Sequence, residues 1–181
     1  MKVQIKNARL AFENVFNASS FDPSQQAKFS GTFIFEPDSQ AETSIRDAMT
    51  QVARDKWGDQ ADRVLKDLES KDRTCLHNGD DKPYNGFQGN MYVNASNKMR
   101  PLVLDEHRHP LTQQDGKIYN GVIVNALVDV WAQSSPQYGK RLNATLLGVQ
   151  FANHAAPFSG GRAASVDDFE ILEDEEEMAL A

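Results

Sequence analysis

The chain has 181 residues, of which 40% are hydrophobic and 25% are charged, a composition ordinary for one soluble globular domain. Its single cysteine, Cys75, excludes an internal disulfide and a cysteine-built zinc site, in keeping with a reducing compartment. No segment has the composition of a signal peptide or the length of a transmembrane helix, so we expect a cytoplasmic protein without a membrane partner.

The excess negative charge of the chain is concentrated at its C-terminal end. The net charge is −7, from 19 basic and 26 acidic residues, and eight of the acidic residues lie between positions 167 and 177. The last cation is Arg162, and the rest of the chain is close to neutral, with 19 basic and 18 acidic residues. Because an acidic run without counter-ions repels itself and buries little, residues 165–181 are predicted to form a disordered tail. Such a tail either only improves solubility or competes with a polyanion for a basic groove.

The first half of the chain changes from strand periodicity to helix periodicity. Residues 2–16 and 27–36 alternate apolar and polar side chains, as half-buried strands do. Between residues 39 and 70 the apolar side chains recur at helical spacing, and Gly58 is placed to end a first helix. The sequence therefore predicts two strands followed by a helical insertion at about 39–70.

The second half returns to strand periodicity. Residues 86–95, 121–131 and 140–151 alternate, and the middle segment is the strongest strand of the chain. Five antiparallel strands in a partly open barrel is the count expected of an OB-fold. We predict a mainly β protein with inserted helices, an α+β chain in which residues 1–164 form a five-stranded, OB-fold-like antiparallel barrel. An open sheet or a sandwich is the alternative.

Catalytic motifs are weak in this sequence. The loop at 105–109 contains His107 and His109 beside two carboxylates, which are metal-ligand types, but a charged loop of this kind is more often only solvated. Cys75 lies near His77 without an activating framework, and no glycine-rich phosphate loop is present. We therefore predict a protein that is not an enzyme and has neither a cofactor nor a metal site.

Binding of a single strand of nucleic acid is better supported. Such binding needs cations that follow the phosphates and exposed aromatic faces on which bases stack. Residues 82–100 supply both, and the predicted strand places Tyr92 on a polar face with Asn90 and Asn94, as expected of an open binding face. Phe87, on the apolar face, is expected in the core.

Two further places are expected to border the same cleft. In an OB-fold the first hairpin loop and the loop before the last strand form its rims, which points to Phe21 and to the cluster around Tyr138. Trp131 either packs against a helix of the protein or stacks on a base. The predicted single-stranded-DNA-binding residues are Lys82, Tyr84, Tyr92, Asn94, Lys98, Arg100, Trp131, Tyr138, Lys140 and Arg141.

Several short motifs occur in a fixed order: GFQGNMYVNAS at 86–96, RP at 100–101, YNG at 119–121 and GVQF at 148–151, ahead of a glycine-rich run and the acidic tail. In this order they resemble a family of bacteriophage single-stranded-DNA-binding proteins. The resemblance implies an OB fold, sequence-tolerant binding of single-stranded DNA, and a tail that contacts replication or recombination proteins.

We therefore predict a phage replication or recombination protein that coats single-stranded DNA and recruits partners through its tail. The alternative is a protein–protein interaction module whose tail docks a partner without nucleic-acid binding. A homodimer, in which one chain's tail occupies the neighbour's groove, is left open. The predicted partner-binding residues of the tail are Asp167, Asp168, Phe169, Glu173, Asp174, Glu175, Glu176 and Glu177.

Overall fold

The structure, a computed structural model, describes residues 1–158 and 170–172. Its strands are β1 (Lys2–Ser19), β2 (Lys28–Phe35), β3 (Leu76–Asn78), β4 (Met91–Asn97), β5 (Leu102–Leu104), β6 (Ile123–Ser135) and β7 (Gly139–Asn153). Two helices, α1 (Gln40–Trp57) and α2 (Ala61–Ser70), connect β2 to β3. Apart from residues 170–172, the predicted acidic tail lies outside the described residues, as do all of its predicted partner-binding residues.

Five of the strands close into a barrel. Strand β1 pairs with β2 and β6, β2 pairs with β4, and β6 pairs with β7, all antiparallel. The ring is closed by a parallel contact between β4 and β7, where Ser96 lies opposite Thr145. The short strands β3 and β5 are added to β4 and β7. The predicted five-stranded OB-like barrel with inserted helices is therefore confirmed, and the open sheet and the sandwich are wrong.

The barrel core follows from the two-residue period of its strands. In β6 and the residue before it, every second side chain from Val122 to Val130 has no exposed surface. The alternate side chains of β6, such as Leu127 and Trp131, face outward and remain partly exposed. The apolar face of α1 joins the same core through Ile45 and Met49. Burial of each such aliphatic side chain contributes about 1.5–3 kcal/mol.

A bulge in β1 follows Ala11. Leu10 lies in the barrel core and Ala11 in a separate buried cluster, whereas the next residue, Phe12, has a positive φ of 50° and a side chain that is 49% exposed. The pairing of β1 with β2 shifts register between Ala11 and Asn14. A bulge of this kind re-aims a side chain, and here it turns the ring of Phe12 out of the barrel.

The chain that leaves β7 is held against the barrel wall. We call residues 154–158 the C-terminal strap. The guanidinium of Arg9 lies 4.1 Å from the ring centroid of Phe158, and its Nε donates to the carbonyl of Gly121 at 2.8 Å. The N–H of Phe158 donates to the carbonyl of Asn120 at 3.0 Å. Gly121 has a φ of +107°, and a Cβ there would lie 2.6 Å from the carbonyl oxygen of Ala156, so only glycine allows this approach.

The start of α1 depends on a buried carboxylate. Ser39 caps the helix by accepting from the N–H of Glu42, and the carboxylate of Glu42 accepts from the N–H of Asp38 at 2.6 Å and from Nε of Arg46 at 2.9 Å. Burial disfavours the charged form, but these two donors outweigh it, and the pKa of Glu42 lies below its usual value.

Replacing Glu42 by Gln is expected to lower the free energy of unfolding at neutral pH by about 1–2 kcal/mol, because two charge-assisted hydrogen bonds weaken. A depressed native pKa stabilises the fold above the unfolded-state value, 4.5, and this stabilisation is lost as the pH falls through the native pKa. Urea unfolding at neutral and acidic pH checks this. The difference between wild type and E42Q should shrink on acidification, and a difference independent of pH would contradict it.

Candidate functional site

A groove with a volume of about 1140 Å³ crosses the outside of the barrel. Its floor is a row of polar side chains that the strand register places side by side: Asn14 lies opposite Ser30, Ser30 opposite Ser96, and Ser96 opposite Thr145. The row therefore runs across β1, β2, β4 and β7, perpendicular to the strands, and Trp131 of β6 lies at its far end. This is the face that OB-folds use for oligonucleotides and oligosaccharides.

The groove gathers positive charge although the body of the chain is nearly neutral. Four cations line it, Lys28, Lys82, Lys98 and Arg141, together with one carboxylate, Glu13. Within residues 1–158 and 170–172, none of the four cations forms a salt bridge. The carboxylate of Glu13 accepts from the N–H of Val15 at 2.9 Å. The groove is therefore a local excess of unneutralised cations, which suits a polyanion.

Exposed aromatic rings border the same groove. Tyr84 is 52% exposed and Trp131 is 42% exposed, and Phe21, in the loop between β1 and β2, is fully exposed. The ring of Phe12 meets that of Tyr84 edge to face, with centroids 5.0 Å apart. Nε1 of Trp131 donates to Oγ1 of Thr145 at 3.0 Å, which fixes the indole at the groove wall. Rings held in this way can each stack a base.

Tyr92 takes a different place from the one expected. Its side chain is only 5% exposed, its ring is stacked on His77 with centroids 5.0 Å apart, and the edge of Phe87 covers it at 5.1 Å. Burial raises the pKa of the Tyr92 hydroxyl, and the Lys82 ammonium opposes this. The expectation of an open ring face at Tyr92 is therefore wrong, whereas the placement of Phe87 in a buried cluster, at 2% exposed, is confirmed.

The reason lies in the segment before β4. The predicted strand at 86–95 begins only at Met91, and the residues before it form turns that fold over the sheet. The N–H of Gly79 donates to the carbonyl of Asn90 at 2.8 Å, which closes this turn region. Asn94, one alternation further along, is exposed on the groove floor, where its Oδ1 accepts from Oγ1 of Thr32 at 2.7 Å.

Three predicted site residues do not line the groove. Arg100 donates to the carbonyl of Phe16 at 2.9 Å and lies 5.2 Å from the ring of Phe29, so its role here is to fix the barrel. Lys140 lies 5.8 Å from the ring of Trp57, and Tyr138 is exposed at the turn between β6 and β7. Neighbouring residues on a strand point to opposite faces, which is why Arg141 faces the groove and Lys140 faces away from it.

Among the exposed rings and the cations that line the groove, Phe12 and Lys28 were not predicted. Phe12 lies within the strand predicted at 2–16, and the register shift after Ala11 together with its positive φ turns its ring outward. Lys28 lies within the strand predicted at 27–36, for which no binding role was predicted. Of the predicted residues, those that the structure brings together at the groove are Lys82, Tyr84, Tyr92, Asn94, Lys98, Trp131 and Arg141.

Cys75 lies beneath the groove floor, 4% exposed, and burial raises the pKa of its thiol to about 12. Because the thiolate is the reactive form, we expect no labelling of native protein by a thiol-specific reagent at about pH 8. One equivalent should react after unfolding in guanidinium chloride, measured by absorbance or mass. Fast labelling of the native protein would mean that the groove floor opens.

The charged loop at 105–109 is organised by its own backbone. Oδ1 of Asp105 accepts from the N–H groups of His107 and His109, each at 2.8 Å, and the bond from His109 contributes most to a lowered pKa of Asp105. Across the described part of the chain, no three His, Cys, Asp or Glu side chains are grouped closely enough to hold a metal ion. No helix in that part is both long and apolar enough to span a membrane.

A closed OB barrel whose outer groove combines unneutralised cations with exposed aromatic rings is the form of a single-stranded nucleic-acid-binding protein. The model of one protein family, described as the single-stranded-DNA-binding protein of Enterobacter phage Enc34, matches residues 1–179. Protein p50 of Acyrthosiphon pisum secondary endosymbiont phage 1 is 37% identical over an alignment of 184 residues that covers 99% of this chain and 98% of p50. The chain belongs to the phage Enc34 single-stranded-DNA-binding protein family, as the order of its motifs predicted.

Solved structures share the fold. The Enc34 protein with a C-terminal truncation superposes with a TM-score of 0.65 at 23% identity, covering 87% of this chain and 88% of that one. The Enc34 protein in complex with single-stranded DNA gives 0.63 at 21% identity, covering 87% and 89%. The gp2.5 single-stranded-DNA-binding protein of bacteriophage T7 gives 0.60 at 8% identity, covering 93% and 92%.

Proposed function

We propose that this protein binds single-stranded DNA in the groove without sequence preference. Lys28, Lys82, Lys98 and Arg141 hold phosphates, and the exposed rings that border the groove stack bases. The main support for the proposal is that cations without salt-bridge partners and exposed aromatic rings occur together on one face of the barrel. Stacking and charge both tolerate any sequence, because every base has an aromatic face and every nucleotide a phosphate.

The strand arrangement supports a short site within the groove. From Trp131 on β6 to Asn14 on β1 the floor crosses four steps between neighbouring strands. At about 4.8 Å a step this is roughly 19 Å measured along the curved wall of the barrel. With about 3.4 Å or somewhat more for each nucleotide of a stacked single strand, the groove holds about four to six nucleotides.

The role we infer is a non-catalytic one in phage replication or recombination, in the cytoplasm of the bacterial host. The protein protects single-stranded DNA, and its acidic tail docks replication or recombination proteins. The eight acidic residues between positions 167 and 177 complement the cations of the groove. When DNA is absent, the tail competes for the groove, either on its own chain or on a second chain in a homodimer.

Fluorescence anisotropy of a labelled oligothymidine tests this proposal. The full chain is compared with a chain ending at Ser165, each at low and at moderate salt. We expect tighter binding by the shortened chain, and weaker binding by both chains as the salt concentration rises. If neither chain binds even at low salt, the groove does not bind DNA, and the tail is then the functional element of a protein–protein interaction module.

A further inference from the structure

We propose a second binding site next to the groove, a side pocket that takes a single nucleobase turned out of the bound strand. The proposal rests on the DNA binding proposed above. The side pocket has a volume of about 300 Å³, and its walls include Phe12, Pro83, Tyr84, Asn85, Asn120 and Phe158. This volume is at the lower end of the range of small-ligand cavities, about 300–1,000 Å³, and has room for one base.

The side pocket is continuous with the groove. Phe12 and Tyr84 line both, and their rings, 5.0 Å apart and at an interplanar angle of 85°, form the partition between them. A base that leaves the stack at this end of the groove therefore passes these rings into the pocket. Lys82 lines the groove and directly precedes Pro83, which lines the pocket. Its ammonium group can therefore bind the phosphate of the displaced nucleotide.

The far wall is rigid. The ring of Phe158 is held by the guanidinium of Arg9 at 4.1 Å from its centroid, and the backbone of Phe158 is bonded to Asn120. At Gly86 a Cβ would lie 2.6 Å from the Phe158 ring, so the ring is seated directly on the turn that precedes β4. A wall held from both sides is preformed for a flat ligand, which lowers the entropic cost of binding.

The polar groups of the side pocket suit the edge of a base. Oδ1 of Asn120 accepts from the N–H of Glu13 at 2.9 Å, which leaves its Nδ2 as a donor. Nδ2 of Asn85 donates to the carbonyl of Phe158 at 3.4 Å, which leaves its Oδ1 as an acceptor. All four bases carry a donor beside an acceptor on their Watson–Crick edge, so one amide donor and one amide acceptor can meet any of them. The pocket therefore adds affinity without imposing a sequence.

Photo-crosslinking locates the base. Oligothymidines carrying 5-iododeoxyuridine at one position are irradiated with the full-length protein, and the adducts are mapped by mass spectrometry. Phe158 lines the side pocket and not the groove, whereas Trp131 lines the groove and not the pocket. We expect adducts at both residues. Adducts at Trp131 without any at Phe158 overturn the side pocket and leave groove binding intact, and an oligonucleotide that does not bind at all overturns the proposed function itself.

A matched pair of variants measures the effect on affinity. Asn85→Leu keeps the size of the side chain and removes its amide acceptor, and we expect a roughly two- to ten-fold weaker binding of oligothymidine, as for the loss of one hydrogen bond. Gln88→Leu, exposed in the same turn and outside both cavities, should bind like the wild type. Equal affinities of the two variants overturn the proposal. If Asn85→Leu weakens binding in the full chain but not in a chain ending at Ser165, the tail and not a base occupies the side pocket. This result would also overturn the proposal.

Discussion

Replacing Tyr84 and Trp131 together by alanine is expected to weaken the binding of oligothymidine by roughly 10²–10³-fold, because each ring that stacks a base contributes about 1–3 kcal/mol. The two rings stand on different elements, one in the turn before β4 and one on β6, so their contributions should add. Both side chains are about half exposed, and their loss should change the thermal midpoint little. Titration of a labelled oligothymidine, with circular dichroism for folding, measures both quantities.

The matched control is Tyr138→Ala. Tyr138 is 63% exposed, more than either Tyr84 or Trp131, but it lies outside the groove. Its loss should leave the affinity unchanged. If the double variant binds normally, bases do not stack on these rings. If Tyr138→Ala weakens binding as strongly as the double variant, the bound DNA passes over the turn between β6 and β7 and not along the groove.

The salt dependence of binding should report the cations of the groove. With about 0.7 counterions released for each phosphate contact on a single strand, four contacts predict a slope of roughly −2.8 for the logarithm of the binding constant against the logarithm of salt concentration. Replacing the four groove cations Lys28, Lys82, Lys98 and Arg141 by Gln should bring this slope close to zero. At low salt we expect roughly 10²–10³-fold weaker binding, measured by anisotropy over a series of salt concentrations.

A second quadruple variant separates local charge from net charge. It removes the same number of cations from exposed positions outside the groove, namely Lys2, Lys6, Lys56 and Lys66. Its net charge equals that of the groove variant, and its slope should stay close to that of the wild type. Equal slopes for the two variants would show that the whole surface attracts DNA and that the groove has no special part in it.

The sequence predicted the barrel because each of its long strands has one apolar face, and a strand of that kind must bury it. Val122 to Val130 carries this pattern without interruption. Closure of the barrel depends on the contact of Ser96 with Thr145, which are far apart in the chain and carry no local signal. The count of strands, compared with known barrels, and the family resemblance were therefore the guides to closure.

The lining of the groove was predictable where one local rule decides the direction of a side chain. Lys82, Tyr84 and Trp131, which line it, were predicted from their residue type and from their position next to a turn or on a mixed face. Tyr92 was misjudged because the turn that covers it folds back from outside the strand, and alternation within the strand does not report such a cover. Phe12 was missed because a positive φ in a bulge reverses the expected face.

The C-terminal strap fixes the point at which the chain leaves the barrel. Arg9 and Asn120 hold Phe158 at the side pocket, so the chain leaves the barrel at one end of the groove. A single strand of DNA has a polarity. If the proposed groove binds the strand in one orientation, this exit point lies on the same side of the footprint of every bound protein. Proteins bound in a row along a strand would then all point their exit points in one direction.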